Sequence, residues 1–293
     1  MVRVAIPGGV WSDGARRTEG PLRELALRPV SGEDEVFLLD SAEQAAPSER
    51  ATALLARCLA DADGEAADVE RIARALTVGD REALLLQLRR LTIGETFDCV
   101  LPCPADGCGE RMELELQVRD LLVPEYEDVR RTYEISTDAE GACYDVSFRL
   151  PTAADLDAVA STARDDPVRG ADALLARCLC GATRDGEPVG VGALAPAVRA
   201  AIAEEMVQRD PQAEIELELA CPVCGSAFAV VFDTAALFMQ ELDERAARLM
   251  HEVHTLALHY HWSERDILRL PRRRRARYLE LVSERVGAGA RSP

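Results

Sequence analysis

Patterns of apolar and polar residues divide the chain into the same series of elements twice. Short strands are predicted at residues 22–28 and 143–150, each followed directly by a proline. A capped helix, a second helix and a third apolar-periodic helical segment follow in both halves. Period-two alternation of apolar with polar, mainly acidic, residues occurs at residues 112–118 and 215–219. These segments predict antiparallel hairpins with one face in water.

Three sequence matches occur in the same order in the two halves. The residues ALLARCL at 53–59 recur letter for letter at 173–179, and residues 27–31 parallel residues 149–153. A cysteine-containing turn then follows in each half, again about 120 residues apart. Three matches in register favour a duplication over chance. We predict an N-terminal tail without order at 1–20, a first copy at 21–122, a linker with an edge strand at 123–142, a second copy at 143–237 with a mobile glycine-rich loop at 181–192, and C-terminal helices at 238–293.

The cysteine turns carry the pattern CP…CG. One begins at Cys103 and reaches Cys108, and the other begins at Cys221 and reaches Cys224. Each turn offers two thiolates, whereas a closed structural zinc site needs four in a tetrahedron. A single CxxC is ambiguous because redox motifs share its spacing. Two such turns predict that these four cysteines bind one structural zinc ion per chain, the alternative being a set of buried free thiols.

The remaining cysteines lack a turn of this kind. Cys99 and Cys143 lie on predicted strands, where they could replace a ligand, and Cys180 has no assignment. Cys58 and Cys178 repeat within the ALLARCL helices and are simplest as small core residues. An odd total of nine cysteines, without an N-terminal apolar segment of the signal-peptide type, indicates a reducing compartment and predicts a cytoplasmic location.

Charge and composition exclude several classes of function. The net charge of −18 makes nucleic acid or an anionic membrane an improbable partner for the whole body. All 34 basic residues are arginine, so no Walker A lysine and no Schiff-base lysine exist. No run of apolar residues reaches the roughly 18 that a membrane span requires. No catalytic motif survives inspection, and we expect neither an enzyme nor a small-molecule substrate.

The C-terminal region differs in texture from the two copies. Apolar residues between 239 and 260 recur at heptad spacing, which fits either a helix packed on its own domain or a seam for a partner helix. Beyond it, residues 263–293 hold nine arginines against four acids. The dense run Arg272, Arg273, Arg274 and Arg275 predicts a site for an acidic partner protein. A face docked on the acidic body and a nucleic-acid site are the alternatives.

All four histidines lie in this same region, at His251, His254, His259 and His261. The first two bracket a glutamate but stand three residues apart, so they do not form the HExxH zinc motif. We interpret the four as solvated positions beside the heptad seam, with a second metal site as the alternative.

The closing motif of the chain resembles a known family. The chain is similar here to the baseplate hub assembly chaperones of T-even-type contractile phages and their relatives in phage-derived contractile injection systems. The residues that carry the resemblance are Tyr260-His261-Trp262-Ser263, Asp266-Ile267, Leu270-Pro271 and Tyr278-Leu279, together with Leu27-Arg28-Pro29 near the start. The duplicated body with two cysteine turns departs from the shortest members. The resemblance implies a non-enzymatic protein whose partners are baseplate or hub proteins.

Together these observations predict an α+β, mostly helical and internally duplicated fold. Its two zinc-knuckle hairpins form a zinc-ribbon-like site, and a helical extension follows them. We expect an assembly chaperone or accessory factor of a contractile baseplate. The rival hypotheses are a permanent structural subunit of the baseplate and a zinc-ribbon adaptor that binds protein or nucleic acid.

Overall fold

The computed structural model describes residues 1–11, 20–41, 45–60 and 66–289, which form an α+β fold in which helices predominate. The helices are α1 (Gly32–Ser41), α2 (Pro47–Cys58), α3 (Ala66–Ala75), α4 (Val78–Thr92), α5 (Val118–Leu121), α6 (Ala153–Asp165), α7 (Pro167–Cys178), α8 (Pro196–Arg209), α9 (Thr234–Tyr260), α10 (Glu264–Arg269) and α11 (Arg272–Gly289). The strands are β1 (Val2–Val10), β2 (Leu22–Leu27), β3 (Leu59–Ala60), β4 (Thr96–Pro102), β5 (Arg111–Gln117), β6 (Tyr133–Ala139), β7 (Ala142–Phe148), β8 (Leu179–Arg184), β9 (Glu187–Pro188), β10 (Glu216–Ala220) and β11 (Ala227–Val231).

Within the described ranges, four antiparallel sheets contain the strands. Their orders are β1-β2-β3, β6-β7-β8-β9, and the two hairpins β4-β5 and β10-β11. Apart from α3 and α5 in the first half, and β9 and two short 3₁₀ turns in the second, elements follow one another alike in the two halves: two paired strands, a helix, a helix that begins at proline, a strand on the same sheet, a helix, and a hairpin. In this order α1, α2 and α4 correspond to α6, α7 and α8.

Two predictions about disorder are wrong for the described residues. The expected N-terminal tail contains β1, which pairs with β2 and buries Val4 and Ile6, while residues 12–19 of that tail lie outside the described residues. The expected mobile loop at 181–192 instead continues β8 and turns through Asp185 and Gly186 into β9. The proposed edge strand in the linker is present and runs as β6 to Ala139.

A buried carboxylate holds the first two helices of each half to the strand that precedes them. Arg28 donates to both oxygens of Asp34 at 2.5 and 3.1 Å, and Arg57 donates to the same carboxylate at 2.9 Å. The second half repeats this set: Arg149 donates to Asp155 at 2.5 and 3.0 Å, and Arg177 at 2.8 Å. In both halves the first arginine also donates to the main-chain oxygen of the second arginine.

The pKa of these carboxyls shows how well each anion is solvated by the protein. Burial by itself raises the pKa of Asp34, but the hydrogen bonds from Arg28 and Ser31 outweigh it and lower the pKa to about 2. At Asp155, burial is likewise outweighed by Arg149 and Thr152, and the pKa falls below its usual range. The predicted capping box at Thr152 and Asp155 is confirmed.

The main hydrophobic core lies in the first half and includes the start of α9. Phe238, Met239 and Leu242 of α9 are buried in one cluster with leucines of α2 and α4. Farther along the same helix, Leu249, Val253 and Leu256 pack against α10. The heptad seam is thus covered by its own chain, and the alternative of a seam for a partner helix is wrong.

Helix α11 is anchored to α1 through buried charges. Arg275 is only 2% exposed and pairs with Glu35 at 3.3 Å and with Glu252 at 3.0 Å. Arg245 reaches Glu35 from α9 at 3.3 Å. A side chain on Gly32 would come within 2.8 Å of Arg275, so glycine permits this close approach. Our prediction of Arg275 as a partner-binding residue is wrong, because this side chain is buried and forms ion pairs with Glu35 and Glu252.

Candidate metal centre

Contacts between the bases of the two hairpins bring their tips together. The ring of Phe97 on β4 meets that of Phe232, which follows β11, edge to face at 5.2 Å. Leu116 and Leu217 join the same apolar cluster. Both hairpins project beyond this cluster, and each carries its cysteine turn at the far end. Residues about 120 positions apart in the chain therefore become neighbours.

Local backbone geometry shapes each cysteine turn. Gly107, Gly109 and Gly225 adopt positive φ angles of 76°, 61° and 72°, a region that glycine enters without the steric penalty of a Cβ atom. Cys103 N–H donates to the main-chain oxygen of Glu110 at 2.7 Å, and Gly225 N–H donates to that of Cys221 at 2.9 Å. These bonds close the turns and aim the thiols inward.

The four predicted cysteines meet as one cluster. The Sγ atoms of Cys103 and Cys224 lie 3.7 Å apart, and those of Cys108 and Cys221 lie 3.8 Å apart. All four sulfurs fall within 4.8 Å of one another. A tetrahedral ion with Zn–S distances near 2.3 Å separates its sulfurs by about 3.8 Å, whereas a disulfide needs about 2.05 Å. The spacing fits thiolates around a shared metal ion and does not fit a pair of disulfides.

The electrostatics of the cluster also suit a cation. Main-chain N–H groups of Cys224 and Val223 favour the thiolate of Cys221 and lower its pKa to about 7. At Cys103 the N–H of Ala105 acts in the same direction, but burial and the neighbouring thiols outweigh it and raise the pKa to about 12. Four adjacent thiols thus cannot all ionise unless positive charge compensates them, which a divalent ion would supply.

Other cysteines take no part in the cluster. Cys99 is half-buried on β4, and Cys143 and Cys180 are exposed on β7 and β8. Cys58 and Cys178 are fully buried at corresponding helix ends, which confirms the prediction that they are core residues. Burial raises the pKa of Cys58 to about 12 and that of Cys178 to about 11, so both thiols stay protonated.

The histidines are exposed along α9 and just after it. His251, His254, His259 and His261 all lie at the surface, and the residues that the structure describes contain one group of metal-ligating side chains, the cysteine cluster. The alternative of a second metal site at these histidines is therefore not supported. His261 instead ends α9 in the left-handed conformation at φ 55°.

The arginine run divides into one buried and three exposed residues. Arg272, Arg273 and Arg274 are exposed at the start of α11, and Arg275 is the internal residue described above. Close by in sequence, Tyr260, Trp262 and Tyr278 form a half-buried aromatic cluster whose ring centroids lie 4.8 to 5.6 Å apart. In the sequence these three residues stand out only as part of the closing motif. Their proximity in a chain with 4% aromatic residues is the signal that could have indicated a cluster.

A buried acidic pair at the junction of the two halves was also missed. Asp80, in the first turn of α4, accepts a hydrogen bond from Gly8 N–H at 2.7 Å. Asp210, which follows α8, accepts from Gly79 N–H at 2.9 Å and from the Tyr126 hydroxyl at 2.8 Å. The signal was weak because each acid reads as an ordinary helix-end residue in the sequence.

Comparison with known families places these features in context. A family model described as T4 bacteriophage base plate protein matches residues 15–239, which span both hairpins and end within α9. No curated protein and no solved structure matches the chain. Among the described residues, no helix is both long enough and apolar enough to cross a membrane.

Proposed function

Because the chain belongs to the T4 bacteriophage base plate protein family, we propose that it is a non-enzymatic assembly chaperone or accessory factor of a contractile baseplate. The family match carries the baseplate role. The finer role draws support from the motif at residues 260–279, which lies outside the matched segment and resembles hub assembly chaperones. In this role the protein would act in the cytoplasm.

We further propose that the two halves arose by duplication and form two equivalent units. The support is the common order of elements and the repeated arginine–aspartate–arginine set. Because each half supplies one hairpin, the cysteine cluster joins the units at a zinc-ribbon-like centre. One zinc ion held by Cys103, Cys108, Cys221 and Cys224 would keep the hairpin tips together, because each hairpin supplies two of the ligands. Its role would be structural, since four protein thiolates leave no open position for catalysis.

Contacts with an acidic segment of a baseplate protein are proposed for Arg272, Arg273 and Arg274. These side chains are exposed and form no ion pair among the described residues. The half-buried aromatic cluster beside them adds the side-chain types that dominate binding energy at protein interfaces. Replacement of all three arginines by glutamine should weaken association with baseplate proteins, most strongly at low salt.

A deletion experiment tests the proposed role. Removing the gene should leave sheath and tube proteins in the cell but prevent finished baseplates, as seen by electron microscopy of lysates. Supplying the full chain from a plasmid should restore particles. Normal particle numbers without the chain would contradict the proposal.

A permanent structural subunit is the second candidate, because the family is described as a base plate protein and not as a chaperone. The two candidates differ in one observable, the amount of the chain in purified particles. The zinc-ribbon adaptor for nucleic acid has less support, because a net charge of −18 opposes approach to phosphates.

A further inference from the structure

The buried carboxylate of Glu35 on α1 is shared by arginines from two other helices. Arg245 of α9 lies 3.3 Å from one of its oxygens, and Arg275 of α11 lies 3.3 Å from the other. Arg275 also pairs with Glu252 at 3.0 Å. This arrangement places the guanidinium of Arg245 beside the first turn of α11.

The hydrogen-bonding groups of Arg245 remain unused. The residue is only 7% exposed, and its buried Nε and Nη1 atoms form no hydrogen bond. Glu35 lies close to Nε but is not aligned as an acceptor for its N–H group. Nη2 is not among the enclosed atoms, so it is the part of the guanidinium that can reach a ligand at the surface. A buried donor without an acceptor destabilises the site, and an added acceptor removes that penalty.

Arg272 brings a second positive charge to the same place. It stands one turn before Arg275 on α11 and therefore shares its face of the helix. Its side chain is exposed and forms no ion pair among the described residues. Burial lowers the pKa of Arg245, and the charge of Arg272 lowers this pKa more than that of Glu35 raises it. Two like charges thus lie close together, and Glu35 does not compensate both.

The start of α11 adds to the excess of positive charge. Its first turn contains no acidic residue, although acidic residues are favoured at this end of a helix. The N–H groups of Arg274 and Arg275 donate to the main-chain oxygen of Pro271, and those of Arg272 and Arg273 have no acceptor within the helix. Positive side chains at the positive end of the helix dipole are unfavourable by themselves and become favourable when an anion joins them.

We propose that Arg245 and Arg272 together bind one carboxylate group of an acidic segment in a partner protein. The exposed Arg272 contacts the carboxylate at the surface, and Nη2 of Arg245 contacts it from the protein side. Such a segment belongs to the baseplate protein proposed above, so the site rests on the proposed function and adds Arg245 to it. A phosphodiester chain is a poorer occupant, because its charges would continue over a body with a net charge of −18.

A short peptide of alternating aspartate and glutamate provides the probe. Both of its ends are blocked, and it carries an uncharged fluorescent dye. Fluorescence anisotropy with the full, zinc-loaded chain at low salt should show saturable binding, because charge attraction is least screened there. The matching peptide of asparagine and glutamine should bind at least about tenfold more weakly, since it has no carboxylate to accept charge-assisted hydrogen bonds.

Substitutions in the full chain locate the site. Arg272→Gln should weaken binding of the acidic peptide at least about fivefold. Arg285→Gln removes another exposed arginine of α11 that has no ion pair among the described residues, and it should change affinity less than twofold. Arg245→Lys keeps a positive charge opposite Glu35, which preserves the fold, but it loses the planar fork and should also weaken binding at least about fivefold.

The chain with both Arg272→Gln and Arg245→Lys tests whether the two arginines act on one group. Its loss of affinity should be smaller than the product of the two single losses, because either substitution alone already disrupts the shared contact. The melting temperature of each variant checks that the fold is retained.

Several results would overturn this assignment. They are no saturable binding by the unsubstituted chain, equal affinity for both peptides, equal losses from Arg272→Gln and Arg285→Gln, and independent effects of the two site substitutions. Tighter binding of single-stranded oligothymidylate than of the acidic peptide, with the same dependence on Arg245, would also overturn it and would identify a phosphate site. The deletion experiment does not involve these probes, so failure here leaves the proposed baseplate role standing.

Discussion

Replacement of Asp80 by asparagine should stabilise the protein at neutral and alkaline pH. The carboxyl is fully buried, and one of its oxygens has no hydrogen-bond partner. Burial raises its pKa to about 7 and the nearby Asp210 adds to the rise, although hydrogen bonds from Gly8 and Gly9 oppose it. The folded protein therefore prefers the protonated acid, and ionisation of Asp80 penalises folding.

The sign of the pH dependence follows from this difference. Because the folded pKa lies above the usual value of 3.8, the folded state binds more protons than the unfolded state between these two values. Stability is greatest below about pH 4 for this group and declines as the pH rises toward 7. One pKa unit corresponds to about 1.4 kcal/mol, so the full effect amounts to about 4 kcal/mol.

Asparagine retains the acceptor for Gly8 N–H but cannot ionise. We expect Asp80→Asn to raise the free energy of unfolding, relative to the unsubstituted chain, by about 2–4 kcal/mol more at pH 8 than at pH 4.5. Guanidinium denaturation at both pH values measures this difference. Comparing the two proteins at each pH removes the contribution of the metal centre, which also depends on pH.

The exposed carboxylate of Glu134 on β6 supplies the control. Glu134→Gln should change the free energy of unfolding by less than about 0.5 kcal/mol at either pH. An Asp80→Asn effect that is identical at pH 4.5 and pH 8 would refute the reasoning, because it would mean that Asp80 keeps the same charge in folded and unfolded states.

Further substitutions probe the metal centre and the buried ion pairs. Cys221→Ser should lower the metal content from about one ion per chain to near zero by elemental analysis and should lower the melting temperature; unchanged metal content would contradict the four-cysteine site. Asp34→Asn and Asp155→Asn should each cost about 2–3 kcal/mol at pH 7. This loss should nearly vanish for Asp34→Asn and shrink for Asp155→Asn as the pH falls from about 4 toward 2, since a lowered pKa stabilises the fold only while the carboxyl is ionised. Arg275→Gln should cost about 3 kcal/mol in denaturant melts because it leaves buried acids unpaired, whereas Arg273→Gln should cost less than about 0.5 kcal/mol; equal effects would contradict the division of the arginine run.

Local pattern accounts for what the sequence could predict. The cysteine turns were identifiable because glycine and proline punctuate them, and the helix starts at Thr152 and Ser263 because capping acts within three residues. The placement of the four cysteines followed from the repeated order of elements. Each of these inferences depends on neighbours in sequence or on a repeat.

Long-range burial accounts for what the sequence did not reveal. Arg275 is hidden by Glu35, which lies 240 residues earlier, and nothing in the run of arginines marks one of them as internal. Strand β1 escaped notice because Pro7, Gly8 and Gly9 interrupt its alternation. The proline accepts from Tyr126 N–H, and Gly8 approaches Asp80 closely, so both exceptions arise from tertiary contacts.

Quantitative mass spectrometry of baseplate intermediates and of purified particles tests the central claim most directly. An assembly chaperone should be abundant in intermediates that contain hub proteins and should fall to a small fraction of one copy per baseplate in finished particles. A fixed whole number of copies in finished particles would contradict the chaperone role and would identify the chain as a structural subunit.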